Sequence, residues 1–278
     1  MQNQEHQAYI EANRRAWNQV APLHAAVNQE RLLQSFRQPD FSVLDEYETA
    51  KLHAIGVAGK SVAQLGCNNG RELLSIKNMG AGRCVGFDIS DEFIRQAQAL
   101  NAAAGHDCEF VATSVYDIPA TYDEQFDLIF ISIGVLSWMP DLDAFFAVVA
   151  RLLRAGGQLM IYEMHPFTTM LNVPDATDTP LQIELSYFKR DAHRETDGLD
   201  YYTRQQYDAL PNYWFTQTLS TLLNGCTRNG IAISSFDEYA HDISSIFGHL
   251  EPLQMIPLSY ILVGQKGEQD IATDTASL

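Results

Sequence analysis

The chain has 278 residues, of which 46% are hydrophobic, and it carries a formal net charge of −17. This length accommodates one sizeable α/β domain with an insertion. The acidic balance, which no Lys/Arg-rich stripe offsets, excludes nucleic-acid phosphates and anionic membranes as expected partners.

The sequence also lacks the patterns of targeting and metal-binding segments. Residues 1–17 contain no apolar core of a signal peptide, and no run of about 18 apolar residues follows them. The cysteines lie far apart without a CxxC pair, which predicts buried thiols and neither a metal site nor a disulfide framework. They are Cys67, Cys84, Cys108 and Cys226. We therefore expect a cytoplasmic protein without a bound metal.

The N-terminal region, residues 1–58, is predicted to be a helical cap. In residues 5–24, Tyr9, Asn13 and Trp17 follow one another at i+4 spacing and so share one face of a helix. Such a helix is suited to cover a cleft.

Short β-rich runs alternate with helical patterns between residues 60 and 163. This alternation is the signature of successive βαβ units, and it predicts a parallel sheet covered on both faces. The predicted strands are residues 61–65, 84–87, 108–111, 126–132 and 158–162. The clearest helix follows Asp141, and Gly156-Gly157 is expected to close its last turn.

Residues 164–212 are predicted to be an inserted antiparallel cap, with β-like runs at 182–188 and 199–202. A helix near residues 216–228 and strands near 231–236 and 259–264 follow. Because only a loop joins those two strands, the last pair is expected to be antiparallel. The core would then comprise residues 59–163 and 213–266, and residues 267–278 would be a disordered tail.

The sharpest motif is the segment 62–72, where a strand breaks into a turn of small residues and opens a helix. Gly66 and Gly70 let the backbone approach a ligand closely, and Asn68 tolerates a positive φ. The amides at the start of the helix attract a carboxylate or phosphate group. A tight turn without a ligand remains an alternative for this motif taken alone.

The second element is Asp88, which ends the next predicted strand about 20 residues beyond the glycine turn. At this offset an acidic residue accepts hydrogen bonds from the ribose hydroxyls of a nucleotide. The alternative is that Asp88 caps the helix that begins near Asp91.

From about Trp17 to Lys266, the chain resembles the class I S-adenosylmethionine-dependent methyltransferases, in a subgroup of small-molecule type. The resemblance implies a Rossmann-like, doubly wound, mostly parallel seven-stranded sheet with an antiparallel last strand. It implies S-adenosylmethionine as the cofactor and methyl transfer to an O, N or other nucleophile of a small molecule. A homodimer is a further expected partner arrangement, and the oligomeric state is left open.

The same resemblance implies the residues that contact the cofactor. The glycine turn would hold the methionine end, Asp88 the ribose, and Ile89 and the Ser114 region the adenine. Three positions depart from the family pattern, since Gln64 and Ser114 replace acids and Asn68 replaces a glycine. The full predicted set is Trp17, His24, Gln64, Gly66, Cys67, Asn68, Gly70, Asp88, Ile89, Ser114, Val115, Ser132 and Ile133.

The acceptor side is expected beyond the carboxyl ends of the fourth and fifth strands, where open α/β sheets gather reacting groups. Glu163 and His165 are the candidate catalytic residues there, and His165 is the candidate general base because imidazole titrates near neutrality. A histidine hydrogen-bonded to the protein is the alternative.

Aromatic side chains are candidates for the walls of the acceptor site. Together with His165, the predicted acceptor-binding residues are Trp138, Tyr187, Tyr201 and Trp214.

Two other functions compete with methyl transfer. A nicotinamide-dependent oxidoreductase uses the same strand, turn and acid, but this turn lacks GxGxxG spacing. A catalytically silent binding module that keeps the fold is the second.

Overall fold

The computed structural model describes residues 2–171 and 181–267. The N-terminal helix α1 (Gln2–Ser35) is longer than predicted, and α2 (Glu46–Ile55) follows it. The residues 268–278 of the predicted tail lie outside the described residues. No helix of the described part is long and apolar enough to cross a membrane. No group of side chains there is arranged to hold a metal ion.

The central sheet has seven strands in the order β3-β2-β1-β4-β5-β9-β8. Its parallel strands are β1 (Val62–Leu65), β2 (Cys84–Asp88), β3 (Glu109–Ala112), β4 (Phe126–Ile131) and β5 (Leu153–Met164). The last two, β8 (Ile231–Tyr239) and β9 (Ser259–Lys266), are antiparallel, and β9 lies between β5 and β8. The predicted Rossmann-like class and the antiparallel final pair are confirmed.

Helices cover both faces of this sheet. On one face lie the end of α1, α2, α3 (Arg71–Asn78) and α4 (Asp91–Ala104), and on the other α5 (Leu142–Leu152) and α6 (Leu219–Arg228). Several helices begin after a residue whose side chain caps their first turn. These N-caps are Asp45 for α2, Ser90 for α4, Asp141 for α5 and Thr218 for α6. The two apolar cores therefore hold the parallel strands in place, so that their carboxyl ends form one edge of the sheet.

The prediction for Gly156-Gly157 was wrong. Helix α5 ends at Leu152, and β5 begins at Leu153, so both glycines lie within the strand. A Cβ on Gly157 would lie 3.0 Å from the carbonyl oxygen of Phe126. The glycine there serves the close approach of β5 to β4.

The cap contains a two-stranded antiparallel sheet, but not from the predicted runs. Its strands are β6 (His193–Glu195) and β7 (Asn212–Trp214). Residues 199–202 form a turn, and Ile183 makes only an isolated bridge to Leu171. The polar loop that was expected to separate two strands supplies one of them instead.

Candidate functional site

The glycine turn after β1 adopts a backbone that only small residues accept. Gly66, Asn68 and Gly70 have φ values of 68°, 49° and 75°. A Cβ on Gly66 would lie 2.6 Å from Val135, and one on Gly70 would lie 2.5 Å from the ring of Phe110. The turn is therefore tightly packed from behind, and its amides donate within the protein: Cys67 to the carbonyl of Phe87, Asn69 to its neighbour's side chain and Gly70 to the carbonyl of Cys67.

Asp88 joins this turn to the end of β2. Its Oδ2 accepts the backbone N–H of Asn68 at 2.7 Å, and its Oδ1 accepts that of Ser90 at 2.8 Å. Burial raises the pKa of Asp88 to about 6, and the backbone hydrogen bonds oppose that rise. The N-cap of α4 is Ser90, not Asp88, so capping is not the role of this carboxylate.

Beside Asp88 lies a cavity of about 330 Å³. Ile89 and Ser114, both predicted cofactor residues, line it together with Asp117 and the first half of α1. Ser114 Oγ accepts the amide of Tyr116, whereas the side chain of Val115 packs in the core. Sequence reasoning missed Asp117 and the helix residues Gln7, Ile10, Glu11 and Arg14. The signal for Asp117 was an acid three positions after the expected one.

Buried polar atoms without a hydrogen-bond partner within the described residues also mark this edge. Gln64 donates to Ser132 Oγ at 3.1 Å, which leaves Gln64 Oε1 unpaired. Asn69 Oδ1 in the turn and His24 Nδ1 on α1 are unpaired as well. Since buried polar atoms are normally paired, these atoms fit a polar ligand bound at the ends of β1 and β4. Of the neighbouring predicted residues, Cys67 is fully buried.

Helix α1 is anchored across the carboxyl edge by its polar residues. Asn18 Oδ1 accepts the hydroxyl of Ser90 at 2.6 Å, and Gln96 donates to the carbonyl of Ala21 at 2.9 Å. The ring of Trp17 meets the ring of Trp138, at 5.2 Å between centroids. Helix α1 therefore extends along this edge from the 330 Å³ cavity to His24.

Two side-chain amides bind α1 to the cap. Asn13 donates to the carbonyl of Tyr213 at 2.8 Å and accepts its amide at 2.7 Å. Gln19 in the same way donates to the carbonyl of Asp208 and accepts the amide of Leu210, both at 2.8 Å. We call these four bonds the amide clamp. It joins α1, which we call the roof, to the cap.

A turn of the cap lies against the far end of the roof. His24 Nε2 lies 3.0 Å from the carbonyl of Leu199, and its ring packs against those of Tyr201 and Tyr202. Arg71, the first residue of α3, donates to the hydroxyl of Tyr202 at 2.8 Å. Burial lowers the pKa of His24, so this ring is neutral at pH 7.

Glu163 binds backbone amides and no side chain. Its Oε1 accepts the amides of Gly134 at 2.7 Å and Met164 at 2.8 Å, and its Oε2 accepts that of Leu136 at 3.4 Å. The side chain is buried, which raises its pKa to about 7. Glu163 therefore holds the loop after β4, and Ser132 and Ile133 lead into that loop.

The geometry of His165 favours the structural alternative to a general base. Its Nδ1 accepts the amide of Phe167 at 3.1 Å, and its Nε2 lies 2.9 Å from Oε1 of Glu238 without the alignment of a hydrogen bond. Burial lowers the pKa of His165, and Glu238 opposes this. Both ring nitrogens thus face the protein.

Two of the predicted acceptor walls serve the cap itself. Trp214 stacks on His193, with 3.7 Å between ring centroids, and donates its Nε1 hydrogen to Glu195. Tyr187 accepts the first amide of α6, at Leu219. Trp138 and Tyr201, in contrast, contact rings of α1, Trp17 and His24 respectively.

Comparisons with known proteins concern the type of domain and the fold. Residues 62–157 match the family model described as a methyltransferase domain. The chain is 25% identical over 176 residues to the tRNA U34 carboxymethyltransferase of Campylobacter lari, which covers 63% of this chain and 50% of that relative. The chain thus spans about half the length of the curated relatives it matches.

Solved structures share the fold. An S-adenosylmethionine-dependent methyltransferase from Mesorhizobium loti has a TM-score of 0.58 and 20% identity, covering 78% of this chain and 96% of its own. Geranyl diphosphate C-methyltransferase from Streptomyces coelicolor A3(2), solved with Mg²⁺, geranyl diphosphate and S-adenosyl-L-homocysteine, has a TM-score of 0.53 and 11% identity, covering 79% and 78%. Both similarities concern the fold alone, and both structures are of methyltransferases.

The comparisons correct the partners expected from composition. Net charge excluded nucleic acids in favour of a free small-molecule acceptor, but the curated relatives are named as tRNA-modifying enzymes. That exclusion was wrong, because net charge summed over a whole chain does not describe the local surface that meets a substrate.

Proposed function

We propose that this chain transfers the methyl group of S-adenosylmethionine to an oxygen or nitrogen nucleophile, because residues 62–157 match the methyltransferase-domain model and the sheet has the Rossmann-like strand order. The observation that supports the proposal is the hydrogen bond that joins Asp88 to the glycine turn, next to a cavity that α1 covers. This arrangement would provide an acid for the ribose and a cavity beside α1 for the adenine.

The residues present fit that cofactor. Asp88 keeps free lone pairs beyond its two backbone bonds and would accept from ribose hydroxyls, and Ile89 and Asp117 would flank the adenine. The unpaired atoms of Gln64 and Asn69 would meet the amino-acid end. When bound, S-adenosylmethionine supplies an electrophilic methyl group on a sulfonium.

The protein contributes position and exclusion of water to this reaction. Methyl transfer from a sulfonium is an in-line displacement, so holding the nucleophile about 3 to 3.5 Å from the methyl carbon provides much of the rate. Trp17, Trp138 and the turn at Tyr201 cover the edge where this happens. With His165 turned to the protein, no residue of the described site is assigned as a base, as suits an acceptor that arrives deprotonated.

We propose that the acceptor group is small enough to fit beneath the roof and the cap. Two sources supply such a group: a free small molecule, or a nucleotide that projects from a tRNA. The first agrees with the enclosure by α1 and the cap, and the second with the tRNA-modifying relatives.

One experiment tests the transfer and distinguishes the two sources. The purified chain is incubated with S-adenosylmethionine labelled in the methyl group and, separately, with a small-metabolite extract and with total tRNA. We expect label in one of these fractions for wild type and none for Asp88→Ala. Binding of S-adenosylhomocysteine without transfer to either fraction would indicate the silent binding module instead.

A further inference from the structure

The loop that follows β4 connects the sheet to both the roof and the cap. Its residues 134–138 include a short 3-10 helix, Leu136–Trp138. The ring of Trp138 contacts Trp17 of α1, and the carbonyl of Ser137 accepts the amide of Phe215 at 2.8 Å. We call residues 134–138 the bridge loop. The roof and the segment that follows β7 therefore both contact the bridge loop.

A single buried carboxylate holds the start of the bridge loop. Glu163 accepts the amides of Gly134 and Leu136, and on its own strand that of Met164. Gly134 has a φ of +87°, so few other residues would let its amide point at the carboxylate. Three donors from two strand ends converge on one side chain, and two of them share Oε1.

Protonation changes what this carboxylate accepts. An ionised carboxylate takes all three amides, whereas a carboxylic acid carries a hydrogen on one oxygen. Gly134 and Met164 share Oε1 at short distances, so the hydrogen resides on Oε2, where it opposes the amide of Leu136. The amide that begins the 3-10 helix then loses its partner.

We propose that Glu163 is a positioning residue whose ionised carboxylate holds the bridge loop against the roof and the cap, and whose protonation releases the Leu136 amide at the start of the 3-10 helix. Glu163 acts through the backbone of residues 134–136. The inference deepens the proposed function, on which its consequence for turnover rests, but the loop itself is measured without a cofactor.

Few other titratable groups face Glu163. Tyr260 of β9 pairs with it across the sheet, and burial together with Glu163 keeps the pKa of this phenol well above its ordinary range. His165 lies two residues on and meets Glu238 of β8. The pKa of Glu163, raised to about 7 by burial, thus falls where neither the phenol nor an ordinary carboxyl titrates.

The test uses tryptophan fluorescence. The chain has three tryptophans, and in a Trp214→Phe background only Trp17 and Trp138 report, from the contact that the bridge loop supports. Emission is followed between pH 5.5 and 8.5 without a cofactor. We expect a transition with a midpoint near pH 7, with the two rings in contact on the alkaline side.

Glu163→Gln is the decisive variant. The amide oxygen of Gln still accepts from Gly134 and Met164, but the side chain neither ionises nor accepts from Leu136. We expect the transition to vanish in Glu163→Gln and to persist in Asp237→Asn, a control at a partly exposed acid of β8. A transition that persists in Glu163→Gln, that is absent from wild type, or that vanishes only in His165→Asn would overturn the proposal.

A stability measurement separates positioning from simple support of the fold. Because the folded pKa of Glu163 is raised above 4.5, its contribution to stability is full below pH 4.5 and is lost as the pH rises through about 7. The Tm of Glu163→Gln relative to wild type should therefore improve from pH 5 to pH 8. A constant deficit together with an unchanged fluorescence transition would mean a structural role alone.

This result is independent of the proposed function. Binding of S-adenosylhomocysteine is measured on the same variants by calorimetry. If no variant binds it, the proposed function fails while the fluorescence transition still decides the role of Glu163.

Discussion

The backbone amide of Asn68 donates a 2.7 Å hydrogen bond to Asp88, which ties the glycine turn to the carboxylate at the end of the neighbouring strand. The two elements are 20 residues apart in the chain and form one rigid unit at the carboxyl edge. A ligand that binds both elements therefore meets a preformed surface, and its affinity depends on the single acid that joins them.

Replacing that acid tests the cofactor site. Asp88→Ala removes a charge-assisted contact to the ribose, worth about 1.5 to 3 kcal/mol, and should weaken S-adenosylhomocysteine binding at least about tenfold. Isothermal titration calorimetry measures the affinity, and circular dichroism checks the fold. Unchanged affinity in a folded variant would remove Asp88 from the site.

The affinity should also depend on pH in a defined direction. The pKa of Asp88 is raised to about 6 by burial, so the carboxylate is ionised above that value and protonated below it. A ribose hydroxyl donates more strongly to the ionised form. We therefore expect S-adenosylhomocysteine to bind more tightly as the pH rises from 5 to 7. Asp88→Asn should flatten the dependence, and an equal slope in that variant would assign the effect to another group.

Gly70 should be intolerant of a side chain for a reason beyond its φ. Gly70 and Gly105 have similar φ values, 75° and 69°, but a Cβ on Gly70 meets the ring of Phe110 at 2.5 Å, whereas one on Gly105 meets nothing within 4 Å. Gly105→Ala should cost about 1 to 2 kcal/mol of unfolding free energy from backbone strain alone. Gly70→Ala should cost more and abolish cofactor binding. Equal losses in chemical denaturation would mean that the ring moves aside freely.

Loosening the amide clamp should open the site without unfolding the core. Asn13→Ala and Gln19→Ala each remove two hydrogen bonds, worth about 1 kcal/mol apiece, between α1 and the cap. We expect faster hydrogen exchange at residues 208–213 and faster release of S-adenosylhomocysteine. Gln34→Ala, at the exposed end of the same helix, is the matched control. Equal exchange in all three variants would show that the amide clamp does not hold residues 208–213 against α1.

His165 should behave as a structural residue. Because both ring nitrogens face the protein, His165→Ala should lower the Tm and leave the shape of the pH–rate profile unchanged once an acceptor is known. A loss of rate by about 10² to 10⁴ with a lost inflection would restore it as a general base. His165→Gln, which keeps an acceptor for the amide of Phe167, should recover most of the lost stability.

The sheet and the cofactor turn follow from local sequence. Short apolar strands, helical spacing after Asp141 and the residues of the glycine turn each depend on neighbours within a few positions, and the structure has them where the patterns indicate. Asp88 is found by an offset that the βαβ geometry fixes. These features are encoded within single units of the fold.

The cap and the acceptor side depend on contacts between distant segments. Tyr187 and Trp214 have the residue types of a ligand wall, but their partners Leu219 and His193 are known only once the chain has folded. Asp117 reaches the adenine-side cavity because α1 closes over it, which no local pattern shows. Likewise, no local pattern around His165 predicts that its ring nitrogens face Phe167 and Glu238.

The amide clamp also bears on how the chain reaches this state. Asn13 and Tyr213 are separated by 200 positions, and Gln19 and Leu210 by 191, so closing the roof requires two of the longest loops in the chain to form. Contacts of such high separation are entropically slow to form, and they come after the local βαβ units. During synthesis, the glycine turn and Asp88 leave the ribosome long before Tyr213 does. The nascent chain therefore has its glycine turn well before the amide clamp can form.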